Sequence, residues 1–195
     1  WVVVGINTRM IYLLYDDGSR SEKVILNELG GCKGIIQSDG YSPYRKLESD
    51  AYPHITRIPC LQHIKRKFID CGEDEPDAKR IVELINTLYQ NEHKHKIGVD
   101  GWTVEQNLVH RKKYAPDILG EIKDVLDDIE ERGDLLPKSE LKEAVTYLRN
   151  EWNAVVDIFN YGDTYLDNNI VERMNRYISL SRKNSLFFGS HKGAE

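Results

Sequence analysis

Gly34-Ile35-Ile36-Gln37-Ser38-Asp39-Gly40-Tyr41 is the stretch whose reading decides the fold. Its first five residues form a short apolar run of the length and flanking expected for a buried parallel strand. Such a strand delivers Asp39-Gly40 at its C-terminal end, and in open α/β sheets that end is where sites are built. A carboxylate there, followed by glycine, can project into a cleft while the backbone turns sharply beside it. The plainer alternative is a simple turn, since Asp-Gly is a common turn dipeptide.

Upstream, residues 1 to 5 and 9 to 15 are rich in Val, Ile, Tyr and Leu, and Ile6-Asn7-Thr8 between them suits two antiparallel strands. Asp16-Asp17-Gly18-Ser19 reads as a turn. Val24, Ile25, Leu26 and Leu29 fall near helical spacing before Gly30-Gly31, which predicts a short amphipathic helix over 20–29. The chain opens directly in a strand-like run, with neither an initiating Met nor a turn residue before it, and we expect a piece of something longer.

Downstream, residues 41 to 47 predict a helical turn or two, residues 54 to 58 another strand, and a helix begins near Pro59. From there to about Asn160 the pattern is almost wholly helical. Ile81, Leu84, Ile85 and Leu88 lie on one face, and Ile118, Ile122, Val125, Leu126 and Ile129 on another. Gly133 and Pro137 punctuate the block, Leu141 to Phe159 is a further long helix, and a last helix runs from Asn168 or Asn169 to about Ser181. We read 1–60 with 161–195 as an α/β core and 61–160 as a mostly helical insertion.

A chain of 195 residues, 40% hydrophobic, can bury one substantial core, or one core plus a helical satellite. No stretch approaches the roughly 18 to 20 apolar residues of a membrane span, and no export signal is visible. Cys32, Cys60 and Cys71 are odd in number and widely spaced, which suggests a reducing cytoplasm rather than a disulfide framework. Cys60, His63 and Cys71 can in principle offer three zinc ligands, but a fourth is not evident and the spacing matches no standard closed site. The net charge of −5 argues mildly against a surface that binds DNA all round. Its distribution is uneven: acidic residues crowd Glu121 to Glu131, while His63-Ile64-Lys65-Arg66-Lys67 and the tail through Arg173, Arg176, Arg182, Lys183 and Lys192 are basic. One DNA-facing side is therefore permitted.

Three further constellations carry candidate chemistry. In Asp167-Asn168-Asn169-Ile170-Val171-Glu172-Arg173, Asn169 and Glu172 suit a variant of the helix-capping box. Asn168 and Glu172 also share a helix face, with Arg176 one turn further on, so that the carboxylate can bind a metal ion while the arginines hold a phosphate backbone. In Cys60-Leu61-Gln62-His63-Ile64-Lys65-Arg66-Lys67-Phe68, Leu61, Ile64 and Phe68 form an apolar stripe. The basic residues beside it are either a solvated face over a core contact or a phosphate-contacting helix. In Ser181-Arg182-Lys183-Asn184-Ser185-Leu186-Phe187-Phe188-Gly189-Ser190, basic and amide groups beside aromatics can grip DNA, although Phe187 and Phe188 are expected to be at least partly core.

In this order the pieces resemble the insertion-sequence-sixty-six family of DDE transposases. The resemblance covers essentially the whole chain: the opening strand, Gln-Ser-Asp-Gly-Tyr, the Cys-x-x-His-x-x-Arg-Lys-Phe helix, the variable helical middle, Asp-Asn-Asn-x-x-Glu-Arg, and Arg-Lys-Asn-x-Leu-Phe-x-Gly-Ser-x-x-Gly-Ala. It implies an α/β, RNase H-like fold with a mixed five-stranded sheet, helices on both faces and a large helical insertion before the last catalytic helix. It also implies two aspartates and a glutamate holding two Mg²⁺ or Mn²⁺ ions, with Asp39 matching the second aspartate and Glu172 the glutamate. The first aspartate is expected on a strand upstream of Trp1; Asp16 and Asp17 are poor substitutes. His63, Arg66, Lys67, Asn168, Arg173, Arg176, Arg182 and Lys183 are then the candidate DNA contacts. The implied activity is DNA cleavage and strand transfer at the ends of a bacterial insertion sequence, by a homo-oligomer acting in the cytoplasm, with this piece alone inactive. The competing readings are a nuclease of the same fold that does not join ends, and a noncatalytic DNA-binding or assembly module.

Overall fold

The computed structural model describes residues 1–14 and 21–184. Asp16, Asp17 and the Ser185 to Ala194 segment lie outside the described residues. The element order is β1 (Val2–Gly5), β2 (Met10–Leu13), α1 (Glu22–Leu29), β3 (Gly34–Ser38), a 3-10 helix over Ser42–Glu48, β4 (Ile55–Pro59), α2 (Leu61–Ile69), α3 (Pro76–Glu92), α4 (Val104–Arg132), α5 (Glu140–Ile158) and α6 (Asn169–Asn184). The contacts divide the chain into a hairpin unit, Trp1–Gly34 with Tyr41–Thr56 and Asn168–Glu195, and a helical unit, Ile35–Gly40 with Arg57–Asp167.

In the hairpin unit β1 pairs antiparallel with β2, in the register Val2 to Leu13 and Gly5 to Met10. The pairing is closed by Trp1 and Leu14, whose backbone groups exchange hydrogen bonds of 2.7 and 3.0 Å. The rings of Trp1, Tyr41 and Tyr44 pack mutually at centroid distances of 6.2 to 6.3 Å, a spacing suited to tilted and edge-on aromatic pairs. Val24 and Ile25 turn the buried side of α1 toward the 3-10 helix, as the helical spacing predicts. α6 packs against β1.

The helical unit gathers α2, α3, α4 and α5 around one core. Leu61, Ile64 and Phe68 of α2 meet Ile81, Ile85 and Leu88 of α3, Ile122, Leu126 and Ile129 of α4, and Val145 and Leu148 of α5. The periodic faces read from the sequence are thus the buried ones, Val125 being only half-buried. α4 starts with a capping box, the Thr103 hydroxyl accepting from Gln106 N at 3.2 Å and the Gln106 side chain accepting from Thr103 N at 2.9 Å. It ends on Gly133. Its acidic run is partly met by Arg80, 2.6 Å from Glu121, and by Arg149, which pairs with Asp127 and Glu130; exposed pairs of this kind are worth about 1 kcal/mol or less each.

The strands depart from the expected mixed five-stranded sheet. Among the described residues they form two two-stranded sheets, β1 with β2 and β3 with β4. β3 is accordingly less buried than a central strand: Ile35 is 38% exposed and Ile36 half-buried, because only β4 flanks it. β4 is the covered strand, and it carries a charge inward. Arg57 donates to Glu151 of α5, and both side chains are essentially inaccessible. Breaking such a pair leaves an uncompensated buried charge at a cost of about 3 to 5 kcal/mol, whereas replacing both partners by apolar residues of similar volume is often neutral. We expect Glu151→Ala to lower the unfolding free energy in urea by about that amount, and Arg57→Met with Glu151→Leu to recover most of it. Equal stability of Glu151→Ala and the wild type would refute the assignment of the pair as a structural tie.

Candidate functional site

Asp39 stands half-buried just past the end of β3, after the buried Ser38. Two residues earlier, the amide of Gln37 donates to the Pro59 carbonyl at 3.2 Å and to the Tyr165 carbonyl at 2.7 Å, the latter across 128 residues of sequence. Next to Tyr165, the Leu166 carbonyl accepts from the backbone of Leu61 at 2.9 Å. Three segments therefore converge within the helical unit: the strand end bearing Asp39, the β4–α2 junction, and the stretch leading to Asp167. Asp167 itself lies beside the Tyr89 ring of α3; burial first, and then the neighbouring carboxylate, push the Tyr89 phenol well above its usual range.

The turn after Asp39 is shaped by α5. A β-carbon at Gly40 would lie 1.7 Å from the Tyr147 hydroxyl and 2.4 Å from the ring carbon bearing it, so a larger residue there would displace the end of that side chain. The backbone bends at Gly40, and Asp39 stands at the strand end beside that bend.

Behind this convergence the stretch from Ile158 to Thr164 is held by a residue of α4. Arg111 is fully buried and makes a bidentate pair with Glu92 of α3, with its Nε 3.0 Å from Oε2. Its remaining donors reach the carbonyls of Ile158 at 3.2 Å and Thr164 at 2.7 Å, the Thr164 hydroxyl at 2.6 Å, and the Tyr161 carbonyl. Asn107, one turn earlier on α4, donates to the Gly162 carbonyl at 2.8 Å. Gly162 must be glycine here, since a β-carbon would fall 2.1 Å from the Val104 carbonyl oxygen. Burial acts to raise the Glu92 carboxyl, but the hydrogen bonds from Arg111, Tyr114 and Asn107 outweigh it and hold it below the usual carboxylate range.

His63 is half-buried in the first turn of α2, while Arg66 and Lys67 are exposed in its last turn. All three belong to the helical unit with Asp39. The apolar stripe of α2 is core and its basic face is open to solvent, so the two readings of that helix are compatible. In the hairpin unit α6 opens at Asn169, leaving Asn168 in the capping position, with its carbonyl accepting from Val171 at 2.9 Å and Glu172 at 3.2 Å. Asn168 and Glu172 are half-buried, and Arg173 and Arg176 exposed. Arg182 and Lys183 fall within the helix, but their side chains lie outside the described residues. Among the described residues the cysteines form no disulfide, Cys60 being buried and Cys32 exposed. Among the described residues no three His, Cys, Asp or Glu side chains cluster as a metal site, and no helix is long and apolar enough to cross a membrane.

Gln37, Tyr147, Glu92, Asn107 and Arg111 were not singled out by the sequence reading. Asn107 and Arg111 carried a signal nonetheless: at four-residue spacing they continue the apolar stripe of Ala115, Ile118 and Ile122 toward the start of α4, which marks them as buried polar groups needing partners.

The family described as Transposase IS66 matches residues 1–195, and the chain belongs to that family. Among curated proteins it is similar to three from Sinorhizobium fredii. The uncharacterized protein y4jD is 30% identical over 184 residues, 91% of this chain and 35% of that protein. The uncharacterized protein y4qI is 28% identical over 197 residues, 97% of this chain and 35% of that protein, and y4hP is 26% identical over 200 residues. The chain thus spans about a third of the length of these relatives. No solved structure matches.

Because the folded Glu92 carboxyl is depressed, its contribution to stability is full above the ordinary carboxylate range and is lost as pH falls through its lowered value. Glu92→Gln is therefore expected to be clearly less stable than the wild type at pH 7, with the gap closing toward pH 3 (about one unit below the usual Glu value). Urea midpoints measured across that range check this, and a gap that stays constant with pH would refute it.

Proposed function

We propose that this chain is the catalytic domain of a DDE transposase of RNase H-like fold, which cleaves DNA at the ends of a bacterial insertion sequence and joins them to a target. Asp39 and Glu172 act in it as two of three metal-binding carboxylates. The observation carrying this reading is the Gln37 amide. It ties the strand that presents Asp39 to Tyr165, a few residues before the Asp167 to Arg173 motif that contains Glu172, and this supports reading the two motifs together. Membership of a transposase family over the full chain supports the same conclusion.

The donor chemistry suits a hard divalent cation such as Mg²⁺ or Mn²⁺: both residues offer carboxylate oxygens, and both are half-buried. Two such ions, when bound, would activate a water or 3′-hydroxyl and stabilise the leaving oxygen of an in-line displacement at phosphorus. The protein's part is to hold the carboxylates and the DNA. Gln37 and the Tyr147–Gly40 contact fix the approach of Asp39, and the start of α6 presents Glu172 with Asn168 on the same face. His63, Arg66, Lys67, Asn168, Arg173, Arg176, Arg182 and Lys183 engage phosphate oxygens. The working assembly in this proposal is a homo-oligomer on paired DNA ends in the bacterial cytoplasm.

The test is strand transfer with end-labelled DNA, in a complete family transposase carrying this domain. Asp39→Asn and Glu172→Gln are each expected to lower the rate by about a hundredfold or more while leaving the circular dichroism spectrum unchanged, the scale of losing several kcal/mol of charge stabilisation. Near-normal transfer by either variant refutes its role.

A further inference from the structure

α2 and α5 pack side by side in the helical unit, and between them lies an open groove of about 340 Å³ lined by Lys67, Lys142, Glu143, Thr146, Tyr147 and Asn150. Its lining is unlike an apolar ligand pocket. Two ammonium groups, an amide, an aliphatic hydroxyl and a phenol face one space, against a single carboxylate. Lys67 and Lys142 are exposed. Such a set favours a polyanion with spaced negative charges, which the lysines neutralise while the neutral groups hydrogen-bond to its oxygens.

The position of the groove says which polyanion. Tyr147 forms part of its wall and also lies on Gly40, the residue after Asp39. One side chain of the groove wall therefore touches the residue that follows the proposed catalytic carboxylate. Lys67 projects from the same α2 helix whose first residue is tied to Leu166, so the basic wall and the Asp39 convergence are parts of one packed body. The geometry points to the α2–α5 groove as the path of a DNA strand's phosphate backbone toward Asp39, with Lys142 and Asn150 of α5 as DNA contacts alongside Lys67. This inference rests on the proposed function and assigns its substrate track. The helical region thereby becomes part of the DNA-binding surface as well as a support for the core. Glu143 is the one opposing charge; it weakens the grip and limits nonspecific hold.

The experiment measures binding of the 195-residue chain to a fluorescein-labelled mixed-sequence DNA duplex by polarisation, in EDTA, across a salt series. Lys67→Gln with Lys142→Gln is expected to weaken binding about tenfold at low salt and to flatten the slope of log K against log salt by about 1.8, the counterion release of two phosphate contacts. Glu143→Gln is expected to tighten binding severalfold. A control pair of equal charge change, Lys94→Gln with Lys123→Gln, lies off the groove and should leave the affinity within about twofold. All variants are first checked for wild-type circular dichroism and urea midpoint, and Asn150→Ala serves as a neutral second probe of the groove, with a severalfold loss expected. The inference is overturned if the wild type fails to bind, if the groove pair leaves affinity and slope unchanged, or if the control pair weakens binding equally. Because no divalent ion is present, these outcomes are independent of the strand-transfer results for Asp39 and Glu172.

Discussion

A guanidinium at the centre of a helical unit is tolerable only if its donors find partners, and Arg111 meets that condition by reaching outside its own helix. Two of its bonds go to Glu92 on α3, and the rest go to carbonyls and a hydroxyl at the end of α5 and in the segment after it. The alternative, an unpaired buried charge, costs far more than any single surface contact returns. The satisfied network thus dictates the path of residues 158–164, and through that path the point at which the chain reaches Gln37 and Leu61. Gly162 and Asn107 belong to the same constraint, the glycine by making room for the Val104 carbonyl and the Asn107 amide by donating to the Gly162 carbonyl oxygen.

Much of the architecture was legible because it depends on periodicity. The buried faces of α2, α3 and α4, the antiparallel start, and the strand ending at Ser38 all follow from apolar spacing that a single sequence displays. The exposure of Ile35 was not legible. A run of Gly-Ile-Ile reads as central whether one strand or two flank it, and the number of neighbours is a tertiary property. Arg57 and Glu151 escaped for a related reason. Each interrupts an otherwise apolar face, and a lone charge on such a face looks like an edge of the stripe until its partner, distant in sequence, is seen.

The candidate site shows the same division. Asp39 and Glu172 stood out by type and spacing, because a carboxylate after a strand and a carboxylate on a helical first turn are local patterns. Their support did not stand out: Gln37 acts through an amide that could have faced either way, and Tyr147 through a contact visible only once α5 is laid against the Asp-Gly turn. The basic helix α2 illustrates why weighing a structural against a functional reading need not end in a choice. One face fills the core with Leu61, Ile64 and Phe68, and the other leaves Arg66 and Lys67 in solvent.

The Arg111 network also bears on how such a chain can vary over evolutionary time. Its three anchors sit on two neighbouring helices and fasten a third stretch, so these helices cannot be lengthened by a fraction of a turn or exchanged singly without casting off the carbonyls they hold. Change is freer in the connections outside these ties, around residues 94–101 and 133–139, short of Trp102, whose indole donates to Asn107 at 3.3 Å. Insertions are therefore cheapest at those outer connections, while a change at any one of Glu92, Asn107 and Arg111 strands the polar groups of the other two.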